Sequence, residues 1–253
     1  MGNRVKYNKS PLVEVIYQLR FPTILSINSN QPIDFQEAIR EEYPFFEQMV
    51  QPEQQIKFSA EGIPPEIRIK PVSNYQFITE DGNNKINLTS SYIAFSTLNY
   101  SQWENFIGEI DRLIPIFEEI YAPRFYTRIG VRYKDVITRS KLGLDDRKWN
   151  ELLQPHILGI MTRDVEDGIN SFVMESEYHN DKSNTNTKTH FELVRVNDER
   201  VTSFLIDCDY FYGENCSVQE RKTISELLHE QSNSFIRNAI TDELHNAMEP
   251  EDI

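Results

Sequence analysis

Two carboxylates and a histidine are the residues whose types and spacing could do chemistry. Asp207 and Asp209 alternate along an apolar run from Val201 to Phe211, and His229 lies on the helical stretch that follows. Alternation puts both aspartates on one face of a strand, so a metal site or an acid/base pair is conceivable there. The same alternation sets Ile206, Cys208 and Tyr210 on the opposite face, the pattern of a sheet with one solvated side, and this plainer reading is preferred. His179 and His190 flank the polar stretch Asn180 to Thr187 and are read as hairpin-end histidines rather than ligands. Arg20, Arg128 and Arg132 are candidates for an anion site. Each is out of phase with its apolar neighbours (Leu19 and Phe21; Ile129, Val131 and Tyr133), which predicts a solvated or salt-bridged strand face instead.

Arg20, Arg132, Asp207, Asp209 and His229 therefore stand as binding candidates, with no catalytic or metal-ligating residue assigned and no cofactor implied. The chain has no nucleophile elbow, no glycine-rich loop ahead of a helix, and no HExxH or Walker pattern. Cys208 and Cys216 match no metal-knuckle or redox spacing and read as two reduced thiols.

The elements that position these residues fall into two similar halves, 1–122 and 123–253. The first opens with a period-two strand from Val13 to Phe21, ended by Pro22. A short helix follows, with a capping box at Asp34 to Glu37 and a stop at Pro44. Five strands are expected next: Gln55 to Ala60, Glu66 to Lys70, Tyr75 to Thr79, Lys85 to Thr89 and Tyr92 to Thr97. Ser101 to Glu104 reads as a second capping box, opening the strongest helix of the chain, with Trp103, Phe106, Ile107, Ile110, Leu113, Ile114, Phe117, Ile120 and Tyr121 recurring at three and four residues and a kink expected at Pro115.

The second half opens with a strand from Phe125 to Tyr133. Its Val131-Arg132-Tyr133 echoes Leu19-Arg20-Phe21, with the arginines 112 positions apart. A helix is expected from Asp146 to Ile157, then strands Ser171 to Tyr178, His190 to Val196 and Val201 to Phe211. Asn180 to Thr187 reads as a mobile hairpin tip. A capping box at Ser217 to Glu220 opens what the periodicity reads as one helix of about 30 residues, through Met248. The fold class is α+β: two tandem β-α-β(3-5)-α units, each an antiparallel sheet covered by a long helix.

At 253 residues with 39% hydrophobic content the chain can bury a large core without disulfides or metals. It has no apolar run of membrane-spanning length and no signal-peptide core at its start, which places it in the cytoplasm with no membrane partner. A net charge of −14 disfavours binding to nucleic acid.

This element order resembles the fold of the TATA-box-binding protein and the helix-grip proteins, in which a curved sheet packs on a long helix. The resemblance implies a fold and not a function. In sequence, the chain resembles a sporadically distributed prokaryotic protein family without an established activity. The residues that carry this are Tyr7 to Val15 around Pro11, Asp81-Gly82 through Leu88 to Trp103, Arg128 to Tyr133, and Leu228-His229 with Phe235 and Ile240-Thr241. It implies a cytoplasmic prokaryotic protein of a variable accessory or defence-type system, antiviral defence among them.

The leading expectation is a non-enzymatic binding protein that presents a sheet or helix surface to a protein partner or to a second copy. One alternative is a small-molecule sensor or carrier, holding an apolar ligand between a curved sheet and the helix from Ser101 to Tyr121, which needs an enclosed cavity of about 300 Å³ or more. The other is a metal-dependent hydrolase using Asp207, Asp209 and His229.

Overall fold

The longest alternating runs of the sequence become the central strands, because alternation gives each one a face to bury. The computed structural model describes residues 5–57, 66–163, 165–195 and 202–252. In chain order the elements are β1 (Val5–Tyr7), β2 (Leu12–Arg20), α1 (Leu25–Ser29), α2 (Ile33–Ile39), β3 (Phe45–Lys57), β4 (Glu66–Ile78), β5 (Asn84–Leu88), β6 (Tyr92–Thr97), α3 (Trp103–Tyr121), β7 (Arg128–Ile137), α4 (Arg139–Leu142), α5 (Trp149–Leu152), α6 (Pro155–Leu158), β8 (Val173–Asn180), β9 (Thr185–Arg195), β10 (Thr202–Tyr212), α7 (Arg221–Ala239), α8 (Asp242–Ala247) and β11 (Pro250–Asp252). Single turns of 3-10 helix stand between α6 and β8 and ahead of α7.

Nine strands form one antiparallel sheet in the order β3-β4-β5-β6-β2-β7-β10-β9-β8, and β1 pairs with β11 apart from it. This is an α+β fold, but the separate sheets expected for the two halves are continuous. The opening strands of the halves, β2 and β7, pair at the centre, with Gln18 opposite Gly130 and Ile16 opposite Arg132. Outward from that pair run β6, β5, β4 and β3 on one side and β10, β9 and β8 on the other.

One face of the sheet is covered. Val15, Tyr17 and Leu19 of β2, Ile129 and Val131 of β7, and Phe204, Ile206, Cys208 and Tyr210 of β10 are buried in a single core with the inner residues of α3 and Leu228 of α7. The two long helices are tied together: Trp103 of α3 stacks on His229 of α7 at 4.4 Å, and Arg221 of α7 pairs with Asp111 of α3 at 2.6 Å. No helix among the described residues is long and apolar enough to cross a membrane.

Several boundaries differ from the sequence expectation for physical reasons. The single last helix is two. Its backbone breaks after Ala239, where Ile240 makes a β-bridge to Leu153, the Thr241 N–H donates to the Leu152 carbonyl at 2.9 Å, and the Thr241 hydroxyl caps α8 by accepting from the Leu244 N–H. The expected helix from Asp146 to Ile157 is also two short ones, since Pro155 opens α6 as a first-turn proline. The segment from Phe45 onward is strand well before Gln55, and the expected break between Lys70 and Tyr75 is closed by β4, where Pro71 sits opposite Pro52. Of the strand expected over Gln55 to Ala60, residues 58–60 lie outside the described residues; so do Val196 and Val201.

The capping box at Ser217 forms, with the Ser217 N–H donating to Glu220 at 2.7 Å. Those at Asp34 and Ser101 do not: α2 and α3 begin without a side-chain cap on their N-cap residues. α3 continues through Pro115. Of the tip expected over Asn180 to Thr187, the β8–β9 turn takes residues 181–184, while Thr185 and Thr187 belong to β9 and are buried.

Candidate interaction surface

The uncovered face of the sheet carries the polar half of each alternating strand. Register fixes what meets what. One row reads Glu14, Lys134, Asp207, His190 and Glu175 across β2, β7, β10, β9 and β8, and the next reads Ile16, Arg132, Asp209, Lys188 and Glu177. Opposite charges alternate along each row, strand by strand, while within the two rows each strand carries one sign, so the charged groups find counter-ions on the neighbouring strands. Arg132 reaches the diagonal Asp207 with two bonds of 2.6 Å, and Arg128 holds both oxygens of Asp209 at 2.7 and 2.8 Å. Lys134 meets Glu14 at 2.5 Å, Lys188 meets Glu177 at 3.2 Å, and His190 lies between Glu175 at 2.8 Å and Glu192 at 3.0 Å.

The environments are graded. Asp207 is 7% exposed while its partner Arg132 is 43% exposed, so this pair turns its cation outward. Arg128 is the more deeply held arginine. Its guanidinium lies 4.3 Å over the Phe211 ring and donates to Gln18 at 3.0 Å, and burial pushes its pKa down while Asp209 opposes that shift. It lies across Gly130, where a Cβ would collide with Nη1 of Arg128, so the glycine makes room for the ion pair. Bonds to Asp207 raise the pKa of Arg132, and bonds to Glu192 and Glu175 raise that of His190. Arg20 is exposed and donates to Gln18 at 3.0 Å. The anion-site reading of Arg20, Arg128 and Arg132 thus gives way to a salt-bridged face.

Among the described side chains this face carries six cations (Arg20, Lys85, Arg128, Arg132, Lys134 and Lys188) and seven anions (Glu14, Glu47, Glu175, Glu177, Glu192, Asp207 and Asp209), close to balance against −14 for the whole chain. Most of the acidic excess is carried elsewhere on the molecule.

The structure does not bring His229 to the aspartates. Asp207 and Asp209 point away from the helices, whereas His229 is buried beneath α7, stacked on Trp103, with Nδ1 2.8 Å from the Tyr133 hydroxyl and Nε2 3.0 Å from the Asn233 amide nitrogen. Among the described residues no group of three or more His, Cys, Asp and Glu could hold a metal ion. His179 sits at the hairpin end, 3.1 Å from the side-chain oxygen of Asn186. Both cysteines are free and buried, and burial pushes both thiols up, Cys216 to about 11.

The space between α3 and the sheet is filled. Phe21 and Phe117 meet at 5.1 Å, Phe35 and Phe77 at 5.4 Å, and the inner stripe of α3 is buried throughout. Two concavities lie at the surface instead: one of 260 Å³ between α2 and α3, and one of 760 Å³ lined by Gln154, His156, Arg237 and the start of α8.

Sequence phase places Arg132, Asp207 and Asp209 on the polar side of their strands. It misses Gly130 and the outer partners Lys188, Glu177, Glu175 and Glu192, because their roles depend on inter-strand register. The signal available in sequence is the opposite sign of the polar positions on β7 (Arg128, Arg132, Lys134) and β10 (Asp207, Asp209). No protein-family pattern matches the chain, and no curated protein matches it in sequence.

Proposed function

We propose that this is a non-enzymatic binding protein whose uncovered sheet face receives a protein partner. The observation that carries this reading is the ion-paired ladder itself. It is ordered by mutual ion pairs, left uncovered by any helix among the described residues, and set on a strongly acidic molecule. Pre-paired charges present a fixed pattern of donors and acceptors, which favours selectivity and register over raw affinity. The overall charge argues against a phosphate backbone as the partner. A place in a prokaryotic accessory or defence-type system, in the cytoplasm, fits the sequence resemblance and belongs to the same proposal. The filled interior beneath α3 gives no support to an apolar-ligand carrier, and the separation of His229 from Asp207 and Asp209 gives none to a hydrolase.

Affinity capture from host extract tests it, using the wild-type chain, Arg132→Glu, and Glu119→Lys on the exposed side of α3 as a control. The expected result is a partner retained by wild type and by the control and lost with Arg132→Glu. Equal retention by all three, or none by wild type, overturns the assignment to this face.

A further inference from the structure

The two edge strands of the sheet are built differently. β8 is lined with Glu175 and Glu177, charges that discourage a further strand. β3 has one formal charge, Glu47, between Phe45 and Pro52, and four of the twelve large exposed apolar side chains of the described residues fall there: Phe45, Phe46, Met49 and Val50, at 40 to 69% exposure. No strand among the described residues pairs with its outer side.

Hydrogen-bond phase shows what that edge offers. The Thr79 N–H donates to the Asn84 carbonyl at 3.1 Å, so odd-numbered residues of β4 bond toward β5 and even-numbered ones toward β3. Their partners on β3 are odd-numbered, which turns the N–H and C=O of Phe46, Gln48 and Val50 outward. Pro52 opposite Pro71 agrees, since a pair without N–H groups must sit where the ladder needs none.

We infer that β3 is a homodimer interface, pairing antiparallel with β3 of a second copy about a twofold axis through Gln48. In this register Phe46 faces Val50 of the second copy, Gln48 faces its own counterpart, and Glu47 faces Met49. All outward-bonding residues meet outward-bonding residues, and Phe46 and Val50 extend the apolar side already begun by Phe46 against Tyr75 and Phe77. The alternatives are worse. A slip by two residues one way opposes Glu47 to Glu47; the other way it sets donorless Pro52 against Phe46; a slip by one mismatches every backbone group. A twofold contact also closes, so association stops at two. This inference concerns the sheet edge and does not depend on the partner assigned to the sheet face.

Sedimentation over about 1–100 μM tests it. Wild type is expected to form a dimer of its 29.8 kDa chain, tighter at higher salt because the −14 charge of each copy is screened. Gln48→Pro removes two N–H donors at the axis, one from each copy, without touching the β4 ladder, and is expected to weaken the dimer about 30-fold. Val50→Lys is expected to do the same, and Tyr178→Lys on β8 to change nothing. Hydrogen exchange on wild type gives a readout independent of variant folding: amides of Phe46, Gln48 and Val50 gain protection as concentration rises, while those of Glu47 and Met49 are protected throughout. A wild type that is monomeric at every concentration, a dimer indifferent to both β3 variants, or concentration-independent exchange at all five amides overturns the inference. Capture by Gln48→Pro of the partner lost with Arg132→Glu separates this interface from the sheet-face site.

Discussion

The two helices that cover the sheet hold it by different means. α3 buries Trp103, Phe106, Ile110, Leu113, Ile114 and Phe117, a nearly unbroken apolar stripe. α7 buries Arg221, Ser225, His229 and Ser232 alongside Leu228 and Ala239. Its contacts are specific pairs: Ser225 with the Tyr17 hydroxyl at 2.9 Å, His229 with Tyr133, Arg221 with Asp111. Buried polar groups recur through that flank, at Asp135, Thr185, Thr187, Thr189 and Ser203. Apolar packing sums over many weak contacts and is blind to pH. Directional pairs hold one arrangement and are costly when a partner is lost. One sheet thus has a flank stabilised mainly by volume and a flank stabilised by hydrogen bonds and the protonation state of its groups.

The largest effect expected from breaking this contrast lies on the α3 side. Phe117 is fully buried, so Phe117→Ala should cost about 3–5 kcal/mol, with the same loss at pH 5 and pH 8, read from denaturant midpoints. A strongly pH-dependent loss there would erase the distinction.

The second effect belongs to Asp135, opposite Ile206 on the covered face, whose carboxyl is raised by burial and then by Asp207 from 3.8 to about 7. Below about pH 4 it is protonated whether the chain is folded or unfolded. Between about 4 and 7 unfolding releases its proton, so stability falls as pH rises, and above 7 the charge stays buried. The loss across that window should be about 2–4 kcal/mol, and Asp135→Asn should flatten it. An unchanged pH profile in that variant would remove Asp135 as the cause.

The smallest effect is on the uncovered face. Gly130→Ala pushes the Arg128 guanidinium off Asp209 and Phe211, and a partly exposed pair of this kind is worth about 1 kcal/mol or less. The variant should melt close to wild type while weakening partner capture. A large loss of stability would mean the ladder holds the sheet together rather than serving recognition.

Strand phase and helix stripes were legible in the sequence because each is a local pattern. β2, β7, β10 and α3 were found that way, and so was the placement of Arg132, Asp207 and Asp209 on polar faces. What escaped depends on distant partners. β3 is rich in Gln and Glu and does not alternate cleanly, so it reads as a strand only once β4 is beside it. The break at Ile240 arises because Leu152, Leu153 and Gln154, nearly ninety positions earlier, take up its backbone groups. His229 was grouped with two aspartates because all three lie near one another in the chain, while the rotation of α7 sets it on the other side of the sheet. The ion-pair ladder was half visible: its signs were readable, its pairings were not, since one residue of slip would exchange every partner.

The central pairing of β2 with β7 also sets a timetable. β2 is complete at Arg20, but its partner ends at Ile137, so at synthesis rates of about 5–20 residues per second β2 waits roughly 6–23 s for the strand that closes its inner edge. During that interval β6 can guard one side only. The apolar strand at the heart of the sheet is therefore enclosed long after it is made, and conditions that slow elongation between residues 20 and 137 lengthen the time it stands open.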